Sequence, residues 1–202
     1  MTNLNLWEKL PSYSFMKKNS FLIIHILLLL LFICMPKNIY AETIFKDNFQ
    51  NPSQWKFISD DVMGGLSTGS VVYETSKGGS IALLSGNVTI ENNGGFIQIR
   101  RDLSKINLDK AKFIKVIVKG NNEKYFIHLR TNGMFLPWQY YKSEFITSNG
   151  FSEIVLPISE FERSGYPLAK KISPKNIVAI GLVAIGRNHQ AELYVKELSF
   201  VE

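Results

Sequence analysis

Over nearly all of residues 42–202, apolar and polar residues alternate in runs too short and too closely spaced for a helix, which confines the chain to sheet structures. The segment KFIKVIVK at 112–119 sets Ile114, Val116 and Val118 on one face and Phe113, Lys115, Ile117 and Lys119 on the other. At 125–131, Ile127 and Leu129 oppose Phe126, His128 and Arg130. Segments 70–75, 81–84, 94–101, 140–147, 151–158, 177–185 and 191–201 behave similarly, parted by clusters of Gly, Asn, Ser and Pro. Within 191–201 the parity changes between Val195 and Leu198, which predicts a bulge near Lys196-Glu197. Only 159–164 and the stretch before Trp55 read as helical turns. Without long amphipathic helices between strands, a parallel α/β sheet with a dinucleotide crevice is disfavoured. About ten short strands in roughly 160 residues predict one all-β domain over 42–202, an antiparallel β-sandwich or jelly roll.

Residues 1–41 read as a leader. The 15-residue run FLIIHILLLLLFICM, Phe21 to Met35, is broken only by His25. It is shorter than the ~20 apolar residues that span a bilayer and suits a signal-peptide core. Lys17 and Lys18 precede it, and Ile39-Tyr40-Ala41 ends in a small residue, as a cleavage site does. Met16 offers an alternative start. The expectation is an exported domain, periplasmic or extracytoplasmic; the alternative is a membrane anchor formed by residues 21–35. An import sequence for mitochondria should be rich in arginine, yet the first arginine is Arg100. Bulky Ile33 before Cys34 fits a lipoprotein site poorly. Cys34 is the one cysteine, so cleavage after Ala41 leaves no thiol for catalysis, disulfides or metal binding.

Charge narrows the partners. Of the formal +6, the leader holds +3 (Lys9, Lys17, Lys18 and Lys37 against Glu8), leaving an ordinary +3 for the domain. Nucleic acid binding gains no support from such a balance. His128 and His189 show no ligand spacing, so no metal or other cofactor is expected.

Two Gly-rich clusters carry the candidate site. In WKFISDDVMGGLSTG, Gly65-Leu66-Ser67-Thr68-Gly69 fits G-x-S-x-G, but Ser70-Val71-Val72-Tyr73 then signals a strand where a nucleophile elbow needs a helix. A P-loop fails too, since Ser70 and Val71 stand where Lys and Ser/Thr must be. Asp60 and Asp61 are adjacent and do not easily converge on one bond; they read first as turn formers. Asp60, Met63, Gly64, Gly65 and Ser67 nevertheless form one candidate binding or bracing surface. The second cluster, Glu91-Asn92-Asn93-Gly94-Gly95, is a turn feeding the strand from Phe96. The two are expected to pack together, with Arg100 and Arg130 nearby. Arg100 shares its face with Phe96 and Gln98, and Arg130 with Phe126 and His128. These arginines would bind an anion or pair with Glu91 or Glu144. Trp138, Tyr140 and Tyr141 are candidate aromatic contacts for a sugar or a partner, with core packing as the alternative.

Taken together, Ser59-Asp60-Asp61-Val62-Met63-Gly64-Gly65-Leu66-Ser67 and Glu91-Asn92-Asn93-Gly94-Gly95-Phe96 resemble the complex I intermediate-associated protein 30 family. Later features agree in order: Phe126-Ile127-His128-Leu129-Arg130, Ile154-Val155-Leu156-Pro157 with Phe161, and Ile177-Val178-Ala179-Ile180-Gly181-Leu182. The resemblance implies a galactose-binding-like sandwich without catalytic residues. It also implies a role in assembling NADH:ubiquinone oxidoreductase through protein contacts at or near the membrane, with respiratory-complex membrane subunits as partners. Related sandwiches include carbohydrate-binding modules, so an exported glycan-binding module is the alternative.

Overall fold

Strands form where the alternation lets one edge of each run reach a shared core. The computed structural model describes residues 41–76 and 79–202. The leader up to Tyr40, with its apolar run and the alternative start at Met16, lies outside them. Among the described residues there are twelve strands: β1 (Thr43–Asp47), β2 (Trp55–Ser59), β3 (Thr68–Ser76), β4 (Gly79–Val88), β5 (Phe96–Asp102), β6 (Phe113–Gly120), β7 (Lys124–Thr131), β8 (Tyr141–Ile146), β9 (Ser152–Pro157), β10 (Glu162–Arg163), β11 (Ile177–Ile185) and β12 (His189–Val201). The short turns at Pro52–Gln54 and Ile158–Glu160 are 3-10.

The strands make two antiparallel sheets of six. One runs β3-β4-β12-β6-β9, with β1 added beside β12; the other runs β10-β8-β7-β11-β5-β2. The first sheet turns inward Ala82 and Leu84, Ile114, Val116 and Val118, and Leu193 and Val195. They meet Ile97 and Ile99, Tyr125, Ile127 and Leu129, and Ile180, Leu182 and Ala184 from the second. This all-β sandwich agrees with the alternation read from sequence.

In β12 the pairing with β6 slips between Val195 and Glu197. Odd residues Ala191, Leu193 and Val195 are buried before the slip, and even residues Leu198 and Phe200 after it. The bulge thus keeps a 13-residue strand apolar-inward along its whole length. On one edge β12 pairs with β4 through Val195 and with β1 from Leu198 onward. Strands β1, β2 and β10 were not anticipated. β1 and β2 have five residues each and β10 two, too few for periodicity to register. Their pairing comes from distant partners.

A buried ion pair ties β1, β2 and β5 at one corner. Arg101 pairs with Asp47, which also accepts hydrogen bonds from the Phe49 N–H at 2.7 Å and Trp55 Nε1 at 2.8 Å.

Candidate functional site

Asp60 follows β2 and starts a 3-10 turn, Asp60–Met63, which ends at Gly64 in the left-handed region. That turn aims its side chain into the protein, where Asp60 is 0% exposed. Its Oδ1 accepts from the Ser67 N–H at 3.0 Å. Its Oδ2 accepts from Ser67 Oγ at 2.5 Å, the Gly95 N–H at 2.5 Å and the Phe96 N–H at 3.1 Å. The two Gly-rich segments are therefore stitched together by one carboxylate. Burial works to raise the Asp60 pKa, but the hydrogen bonds from Ser67, Gly95 and Phe96 outweigh it and hold the carboxyl below its ordinary value.

The glycines around Asp60 have a steric reason. A Cβ on Gly65 would lie 2.3 Å from Asp60 Cγ, and one on Gly94 would lie 2.4 Å from Asp60 Oδ2. Asn92 and Asn93 both take positive φ, at 54° and 58°, which asparagine tolerates better than most residues. Glu91 is exposed, as is Asp61, whose carboxylate takes bonds from Ser59 Oγ and the Val62 N–H. Ser67 is buried; its hydroxyl donates to Asp60 and accepts from the Thr89 N–H at 3.1 Å. No histidine is among its hydrogen-bond partners.

Neither arginine joins this knot, which corrects the pairing expected with Glu91 or Glu144. Asp60 is satisfied by N–H and O–H donors, and Glu144 pairs with Lys124 at 3.0 Å. Arg130 instead donates to four backbone carbonyls: Met134, Leu136 and Pro137 at 3.1 Å and Gln139 at 2.9 Å. It thereby moulds the loop between β7 and β8. Burial, then the charge of Arg100, draws its pKa down. The Arg100 side chain has no hydrogen-bond or ion-pair partner among the described residues.

The knot and the moulded loop face each other across the outer side of the second sheet. Between them runs a groove of about 510 Å³. One lip is Val62, Met63 and Gly94-Gly95; the other is Pro137, Trp138 and Tyr140; Gln98, Arg100, His128 and Val183 line the space between. Trp138 is 60% exposed. The His128 ring stacks on Tyr140 with centroids 3.9 Å apart and planes at 9°. Burial, then the charge of Lys142, pushes the His128 pKa down to about 3, so the ring is neutral at physiological pH. Its Nε2 is buried without a partner.

Tyr141 requires a correction: it is 3% exposed, faces the core, and donates its hydroxyl to the Ala169 carbonyl at 3.0 Å. Adjacent strand residues point to opposite faces, so only Tyr140 can serve the groove. Gln98, His128 and Val62 were missed as site residues. The usable signal was parity, since Gln98 shares a face with Arg100, and His128 with Arg130. Among the described residues, no group of three or more His, Cys, Asp or Glu could hold a metal ion.

Residues 45–195 match the pattern that defines complex I intermediate-associated protein 30. The chain belongs to this family. Both Gly-rich segments and the groove fall inside the matched region. A search of curated proteins found no match. Among solved structures, the chain resembles the family 11 carbohydrate-binding module from Clostridium thermocellum in complex with a beta-1,3-1,4-mixed-linked tetrasaccharide. The TM-score is 0.64 at 16% identity, covering 81% of this chain and 97% of that one. The family 11 module of cellulosomal cellulase Lic26A-Cel5E from the same organism gives 0.62 at 15%, covering 82% and 97%. At such identities the likeness is one of fold: the family's domain here is a galactose-binding-like sandwich.

Proposed function

We propose that this member of the family is a non-catalytic binding protein that holds a segment of a partner protein in the groove. In this reading it works after export, at or near the membrane, in the assembly of a respiratory complex, with membrane subunits as partners. The observation that carries the proposal is the pairing of two apolar lips. Val62 and Met63 on one side and Trp138, beside Pro137, on the other are all exposed, although large side chains of this kind are normally withdrawn from water. Exposed apolar residues lining a concave surface favour a protein partner, with Trp138 as the anchor. The absence of catalysis is supported by Ser67, whose hydroxyl is buried between Asp60 and Thr89.

A second reading, glycan binding, is favoured by one specific observation: the Gln98 amide lies in the same groove as the Trp138 and Tyr140 rings. Against it, no carboxylate lines the groove, and the lip of Val62 and Met63 offers nothing to sugar hydroxyls. Crosslinking in the native cells, followed by identification of captured proteins, separates the two. The expected result is capture of a membrane protein that Trp138→Ala abolishes while leaving the melting temperature unchanged. Recovery of no protein, together with polysaccharide binding lost in Trp138→Ala, would replace the first reading with the second.

A further inference from the structure

We propose that the floor of the groove is a carboxylate-binding subsite centred on Arg100, and that the segment held there is an apolar stretch of protein bearing an acidic group. The proposal rests on the groove reading above and names the chemistry of its occupant.

A narrow recess of about 30 Å³ opens at the floor, lined by Gln98, Arg100, His128, Arg130 and Tyr140 over Gly181. In the sheet, Gly181 stands between Arg100 on β5 and His128 on β7. A Cβ on Gly181 would meet Gln98 Oε1 at 2.8 Å, so glycine keeps this spot hollow. The recess has room for about two water-sized atoms, which matches the oxygen pair of a carboxylate.

Three of the surrounding groups, Arg100, Arg130 and His128, are suited to an anion. Arg100 is half-buried and has no acceptor for its five N–H donors. Arg130 adds a second fixed charge, itself drawn down by burial and then by Arg100 beside it, while four carbonyls engage its terminal nitrogens. His128 is 8% exposed, and its Nε2 lacks a partner; with the proton on that nitrogen, it supplies a further donor. Neutralising carboxylates are absent from the lining of both the recess and the groove. Asp102, next on the same face, takes bonds from the Ser104 N–H and Oγ, and Glu144 pairs with Lys124. A guanidinium left unpaired in a concave, partly dry site is ready for bidentate capture of a carboxylate. Charge complementarity with apolar lips then selects an acidic, apolar segment of protein.

The test uses the full-length protein, sodium butyrate as the probe, and butyramide and sodium chloride as controls. The Arg100 Nε–H signal is followed by NMR. Butyrate should shift it saturably, and butyramide should bind roughly tenfold more weakly or not at all. Arg100→Gln should remove butyrate binding measured at the remaining groove signals, and Arg100→Lys should keep part of it. Should Arg100→Gln fail to fold, Arg100→Lys and the butyramide comparison still decide. Equal shifts from butyrate, butyramide and chloride would overturn the subsite, as would butyrate binding unchanged by either variant. A second arm places a photocrosslinking residue at Met63 in the native cells. Capture of an acidic segment that falls about tenfold in Arg100→Gln supports the proposal. Equal capture in Arg100→Gln overturns the subsite but leaves the groove reading intact. Butyrate binding with no captured protein, and with binding of a uronate oligosaccharide, overturns the protein occupant and leaves the carboxylate contact standing.

Discussion

Replacing Asp60 with Asn puts an amide nitrogen where the protein presents only donors. The best orientation turns the amide oxygen to Ser67 Oγ and the Gly95 and Phe96 N–H groups, leaving its NH₂ against the Ser67 N–H. One buried N–H loses its acceptor, which costs about 1–3 kcal/mol, and three charge-assisted bonds become neutral ones. Allowing for their mutual dependence, we expect a loss of about 3 kcal/mol. For a domain of this size that is a fall of about 6–12 °C in melting temperature. The assay is calorimetry of wild type and Asp60→Asn across pH. Because the folded carboxyl lies below its ordinary value of 3.8, its contribution is present above that value and is lost as pH falls through the lower folded-state pKa. The gap between the two melting temperatures should therefore hold from about pH 8 to about pH 5 and close at lower pH. A variant melting within about 2 °C of wild type at neutral pH would refute the view that this carboxylate joins the two segments.

Gly94→Ala should also destabilise, by about 2 kcal/mol or more, because its Cβ would overlap Asp60 Oδ2; chemical denaturation reads this directly. His128 should not titrate in NMR spectra between about pH 5 and pH 8. As its folded pKa is about 3 against an ordinary 6.5, the unfolded chain takes up the proton first, so this group makes stability fall as pH drops below 6.5. Arg130→Lys cannot reach four carbonyls with one ammonium. Hydrogen exchange should rise across residues 132–140 in this variant while β5 and β11 stay protected.

The strand pattern was legible wherever a run was long enough for two or three inward residues, as in β6, β7 and β11. Even the β12 bulge showed as a parity change. The short β1 and β2 were not, because their identity comes from partners at β12 and β5 rather than from their own five residues. The candidate site divided along similar lines. The Gly-rich segments were visible because close approach to Asp60 demands glycine, but their chemistry was read too widely, since sequence does not show which donors a buried carboxylate will find. The partners proposed for Arg100 and Arg130 were a bound anion or the acidic side chains of Glu91 and Glu144. Backbone carbonyls, which satisfy Arg130, carry no letter in the sequence. Tyr140 and Tyr141 were taken together although adjacency in a strand divides them between groove and core.

Carbonyls are common to every residue, and this bears on the loop that Arg130 shapes. Its four acceptors are main-chain oxygens of Met134, Leu136, Pro137 and Gln139, so that part of the loop's shape is set without reference to most of the side chains it displays. Phe135 and Trp138 stand outside this scaffold, projecting into solvent. The loop thus behaves as a holder with exchangeable bits: Arg130, with Gln139 and Ser164, fixes the mount, and what is mounted can change. Libraries varied at 135 and 138 should keep the loop's path while altering what the groove accepts, making this lip a natural place to re-target the domain.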